Sequence, residues 1–142
     1  MSGVDFAAWA EPNLILTLGG RTYTVRPPSV ANAGKLLALA VRGEVELGLA
    51  KGPIPAGVQD VLDSIHPDDH PALGKVHAQL VADGVSPTTI NRMGYYGIFY
   101  WARGKEYADW LAVTLFTPRD VSTGADDGED EPDPKGLSLI HI

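Results

Sequence analysis

The chain of 142 residues contains no cysteine. That absence removes disulfides, thiolate nucleophiles and cysteine-ligated zinc together, and it suits a reducing compartment. Long hydrophobic runs are missing too. The longest, Leu36–Val41, is six residues, where a membrane span needs about 20. The opening MSGVDFAAWAEP has no basic patch and no apolar core, so no secretion signal is expected. Bases are absent from one stretch in particular. Asp120–Asp133 holds seven of the eighteen acids and no lysine or arginine. Residues 1–119 hold eleven acids and ten bases, a net charge of −1; the acidic run and Lys135 bring the total to −7.

The acidic balance therefore belongs to an appendage. Residues 1–119 are predicted to form one globular domain, large enough for a single core. Residues 120–142 are predicted to be a disordered acidic tail, since a stretch such as STGADDGEDEPDPKG buries too little apolar surface to offset about 1–2 kcal/mol of ordering entropy per residue. Lysines and arginines are scattered singly and matched by acids, so neither nucleic acid nor membrane is an expected partner. A water-soluble protein inside the cell is the simplest expectation.

Period-two alternation around a glycine pair predicts a β-hairpin over residues 13–26. Leu14, Leu16 and Leu18 share a face with Tyr23 and Val25, whether the loop is Gly19–Gly20 or Gly20–Arg21. A lone hairpin is only marginally stable, so that face must lie against helices. The helical part spans 29–117. Ser29 offers an N-cap for a helix over about 30–42, ended by Gly43. Val58, Val61, Leu62 and Ile65 give a second, short helix. Asp68 or Asp69 would cap a third, lined by Leu73, Val76, Leu80 and Val81 and closed by Gly84. Ser86–Pro87 opens a long segment that Gly104 divides in two, and Pro118 ends the fold. The fold class is thus α+β and mainly helical: an N-terminal hairpin packed on four or five short helices.

Two clusters carry candidate function. His66, His70 and His77 stand near Asp68 and Asp69, but Pro67 and Pro71 turn the stretch, so only His70 and His77 could share a helix face. Solvated histidines in a capping turn are the simpler reading, and no metal ligand is assigned. Tyr95, Tyr96, Phe99, Tyr100, Trp101, Tyr107 and Trp110 form the second cluster. Aromatics at 99, 100 and 101 cover nearly the whole circumference of a helical turn, so either the helix is central or some rings face a partner. Tyr95, Tyr96, Phe99, Tyr100, Trp101 and Trp110 are the candidate partner-binding residues. Gly19–Gly20–Arg21 lacks the context of a phosphate loop, and no local motif positions a nucleophile, so no catalytic or cofactor-binding residue is assigned.

The order of these features resembles tail assembly chaperones of long-tailed actinobacteriophages. Asp5–Ser29 is similar to their start and His70–Trp110 to their second half. The likeness rests on the hairpin entry at Glu11-Pro12, the Gly-Arg-x-Tyr return strand, the Leu-Gly and Val-Ala-Asp-Gly-Val run, and Trp101-x-x-Gly104. The resemblance implies a non-enzymatic assembly factor in the host bacterial cytoplasm, absent from the mature virion. It would keep the tape-measure protein soluble while tail-tube subunits polymerise around it. It also implies a longer frameshifted form of the chain, and Asp133-Pro134-Lys135 permits a slippery heptamer. The ending Gly136–Ile142 departs from the acidic run and resembles translated adapter read-through, so it receives no functional reading. The alternatives are a structural head–tail or tail component of the virion and, further off, a small metal-dependent enzyme built on the histidines.

Overall fold

A computed structural model describes Gly3 and residues 12–118. The acidic run and the Gly136–Ile142 ending lie outside the described residues. Within them the chain is α+β and mainly helical, an antiparallel hairpin followed by five helices. Strands β1 (Leu14–Leu18) and β2 (Arg21–Val25) pair Leu14 with Val25, Leu16 with Tyr23 and Leu18 with Arg21. The loop is therefore Gly19–Gly20. Gly19 sits at φ +61°, as the first central residue of a type II′ turn requires. Leu14, Leu16, Tyr23 and Val25 point inward and are buried. Leu18, expected beside them, is 37% exposed, because the hairpin tip outruns the helices beneath it and leaves Arg21 open as well.

Helix α1 (Val30–Glu46) is capped by Ser29, whose Oγ accepts from the Asn32 N–H. It runs through Gly43 rather than ending there. A Cβ at Gly43 would lie 3.0 Å from Phe99 Cζ and 3.1 Å from the Tyr95 hydroxyl, so this glycine permits a close crossing of helices. The stop is Gly48 at φ +80°. Its N–H bonds the Val45 carbonyl at 3.1 Å and the Leu49 N–H bonds Glu44 at 2.8 Å, a Schellman ending.

Helix α2 (Ala56–Asp63) is short, as expected. Helix α3 spans only Val76–Ala82, because Gly74 at φ +54° interrupts the longer helix expected from Asp68 or Asp69. Asp69 caps no helix; its carboxylate accepts from the His66 N–H and from Lys35 Nζ. With two turns available, only Val76 and Leu80 face inward, and Val81 is 57% exposed. Helix α4 (Pro87–Arg103) starts at the predicted Ser86 cap, and Gly104 (φ +101°, ψ 166°) separates it from α5 (Lys105–Phe116).

Two apolar clusters hold these elements. The hairpin face meets Leu73, Val76, Leu80 and Ile90. Ala40, Phe99, Ala108 and Leu111 join α1, α4 and α5. Tyr96 and Tyr100 pack against both, so α4 is the shared wall. Each fully buried large side chain contributes about 1.5–3 kcal/mol. No helix among the described residues is long and apolar enough to cross a membrane.

Candidate functional site

The aromatic residues divide by depth. Phe99 is 1% exposed and belongs to the core. It was expected at a contact surface, and the fold removes it from one: it points at α1 through the gap left by Gly43. Tyr95, Tyr96, Tyr100 and Trp101 are half-buried. Trp110 is 51% exposed, and Val113, three residues on along the same face of α5, is 63% exposed.

The polar ends of these rings are mostly committed inside the domain. The Trp101 indole N–H donates to the Ala72 carbonyl at 3.2 Å, and the Tyr96 hydroxyl donates to Asp109. Burial first, then that bond, raises the Tyr96 phenol above its ordinary range. Tyr107 donates to Glu44 at 2.8 Å. Glu44, almost fully buried in α1, also receives two bonds from Arg103, at 2.7 and 2.9 Å. The Arg103 guanidinium holds the Glu44 carboxyl below the usual glutamate range, with Tyr107 assisting, while burial and the bond to Glu44 push Tyr107 up to about 12. Tyr95 differs. Its hydroxyl is buried with no hydrogen-bond partner, as is Glu46 Oε1, and burial beside Glu46 pushes the phenol up to about 12.

Next to Tyr95 lies a groove of about 360 Å³ between α1, α4 and the segment 69–77. Its floor and walls are Leu39, Leu73, Ile90, Gly94, Tyr95 and Ile98, and its lip carries His70, His77 and Asn91. Ile90, Gly94 and Ile98 recur at four-residue spacing, so they share one face of α4. The glycine lowers the middle of that face, since the nearest atom to a Cβ there would be Leu73 Cδ1 at 3.8 Å. A second small residue, Gly97, lets α4 approach Ala72, whose Cβ and carbonyl oxygen would stand 3.2 and 3.3 Å from an added Cβ.

The histidines do not converge. His66 is exposed beside Asp68. The His70 and His77 rings stack in parallel at 3.5 Å, although Gly74 keeps them off a common helix. Burial, then the neighbouring His70, lowers the pKa of His77. Among the described residues no three metal-ligating side chains gather.

The groove went unread in the sequence because Leu39 and Leu73 reach it from separate elements. The Ile90-Gly94-Ile98 spacing was the available signal. Two motifs read from the sequence do meet in space. Tyr23, from the Gly-Arg-x-Tyr strand, donates to Asp83 of the Val-Ala-Asp-Gly-Val run at 2.7 Å, and Arg21 donates to the Asp83 carbonyl at 3.3 Å. The run closes α3 with a Schellman ending, Gly84 N–H to Val81 and Val85 N–H to Leu80. Those motif residues are thus fasteners between the hairpin and α3.

The described residues thus form a hairpin-and-helix domain with an apolar groove and, on α5, an exposed tryptophan. The chain belongs to the DUF7426 family, a domain of unknown function, which matches it over residues 4–136. No curated protein and no solved structure matches it.

Proposed function

We propose that this protein is a non-enzymatic tail assembly chaperone of a long-tailed phage. It binds the tape-measure protein in the host cytoplasm, keeps it soluble while tail-tube subunits assemble, and leaves before the virion is complete. The observation that carries the reading is the half-exposed Trp110 with Val113 on α5, at the edge of a block of half-buried tyrosines. Tryptophan and tyrosine bury large areas on association at little entropic cost, and they concentrate in contact surfaces. The internal bonds of Tyr96, Trp101 and Tyr107 hold those rings as struts of the domain, which leaves Trp110 and Val113 as the residues offered for contact. Similarity of Asp5–Ser29 and His70–Trp110 to the chaperone family supplies the choice of client.

Co-expression with the tape-measure protein tests this reading. Soluble tape-measure protein should rise in the presence of the chain and co-purify with it; no gain in solubility and no co-purification would remove the proposal. One observation favours a structural head–tail or tail component instead. Strand β1 carries no charged residue and no proline, and among the described residues no further strand covers its outer edge. Such an edge can accept a strand from a neighbour. Mass spectrometry of purified particles separates the two: a chaperone is missing from them, whereas a structural component is present in fixed ratio to the tail proteins.

A further inference from the structure

We propose that the outer edge of β1 is a dimerisation edge, and that its occupant is a second copy of this chain. Two β1 strands pair antiparallel about a two-fold axis at Leu16, giving a continuous sheet in the order β2–β1–β1–β2. The pairing does not depend on the identity of the client, and it serves a chaperone or a virion component alike.

Backbone hydrogen bonding comes first. Leu18 and Arg21 flank the two-residue loop, so the closing bond of the turn joins them. Ladder bonds alternate from there along an antiparallel pair, so Leu18, Leu16 and Leu14 turn their N–H and C=O groups toward β2. Ile15 and Thr17 turn theirs away from it, to the outer edge. The two edges of the hairpin differ in what lies beside them. Helix α3 packs against β2, and Asp83 at its end holds Tyr23 and Arg21 of that strand. On the β1 side no strand among the described residues takes up the groups of Ile15 and Thr17. Neither a charge nor a proline nor a bulge blunts this edge.

Side chains then select the occupant and the register. Leu18 belongs to the helix-facing side of the sheet, yet it is 37% exposed. Centring the pair on Leu16 sets Leu18 opposite Leu14 of the other copy, which is buried over its own helices, and sets Leu16 opposite Leu16. These leucine pairs all fall at non-hydrogen-bonded sites, where facing side chains come closest. On the solvent side Ile15 of one copy meets Thr17 of the other, with Thr22 and Thr24 beyond them, so that face is β-branched throughout. Other centres fit worse. An axis at Ile15 would set Leu18 against Pro12, and an axis at Thr17 would set Ile15 against Gly19. With Leu16 on the axis the whole strand is matched, each Ile15–Thr17 contact exchanges a pair of backbone bonds, and no like charges oppose each other.

Sedimentation equilibrium of the full chain, from dilute solution to about 1 mM, should show a monomer–dimer equilibrium. Amide exchange at Ile15 and Thr17 should slow as the dimer forms. Ile15→Lys combined with Thr17→Lys sets lysine opposite lysine and should weaken the dimer by about tenfold, whereas Ile15→Lys combined with Thr17→Glu sets lysine opposite glutamate and should restore it. Both positions are exposed, so circular dichroism should show both double variants folded. Single cysteines report the register with less disturbance, because the chain has none of its own. Ile15→Cys mixed with Thr17→Cys should form a disulfide on oxidation, the two Cα atoms lying about 5.5 Å apart. Each variant alone should not, because like positions stand about 9 Å apart. A monomer throughout the concentration series overturns the proposal. Equal effects of the two double variants, or equal crosslinking in the mixed and single samples, also overturn it. So does protection of Ile15 and Thr17 that ignores concentration, which would give the edge to the same chain, or that appears only with tape-measure protein, which would give it to the client.

Discussion

Two glycines in α1 make opposite demands although they occupy the same helix. At Gly34 nothing lies within 4 Å of an added Cβ, so Gly34→Ala should stabilise the protein by about 0.5–1 kcal/mol through helix propensity. At Gly43 the added methyl would meet Phe99, which is fully enclosed and cannot move aside. Overpacking costs about 1–3 kcal/mol and outweighs the propensity gain, so Gly43→Ala should lower stability in urea denaturation. The tyrosines give a second contrast. Tyr95→Phe removes a buried hydroxyl that has no partner and should be neutral or stabilising, whereas Tyr107→Phe breaks a bond to the Glu44 carboxylate and should cost about 1.5–3 kcal/mol. Glu44 itself carries a pH dependence. Its folded pKa is depressed, chiefly by Arg103, so its contribution is present above the unfolded glutamate value and is lost as pH falls through the folded one. Melting temperature should therefore drop as pH falls from the ordinary glutamate range, about 4.3, through the lower folded value. Glu44→Gln should be less stable by about 1–3 kcal/mol at neutral pH and show a flatter acid limb.

At the scale of elements, Gly104 is both the last cap of α4 and the first of α5. Its φ and ψ fall in a region that costs an L-residue about 1–3 kcal/mol. Gly104→Ala should reduce stability by that amount, measurable by chemical denaturation, even though no atom crowds the site. This break was legible in the sequence, as were the hairpin and the Ser29 and Ser86 caps, because each is set by local backbone chemistry. The end of α1 was not. Gly43 and Gly48 look alike in a sequence, and only the approach of Phe99 from α4 tells a crossing glycine from a terminating one. Gly74 misled in the same way, placing the start of α3 too early. At the candidate site, exposure of Trp110 could be suspected from the crowding of aromatics. The burial of Phe99 could not, since it depends on which of three successive rings α1 happens to meet.

On the scale of the whole molecule, the acidic excess is concentrated in one stretch of sequence. The described residues balance their acids and bases and among themselves form both apolar clusters, whereas the acidic excess of the sequence falls in Asp120–Asp133. Removing residues 120–142 should accordingly shift the melting temperature by less than about 2 °C in scanning calorimetry. A larger loss would show that the acidic run packs on the domain. The wall formed by α4 has a different consequence. With Tyr96 and Tyr100 serving both clusters, neither flank owns a complete interior. A single protease cut within that helix would therefore ruin both sides together, and no subdomain could be excised that still folds.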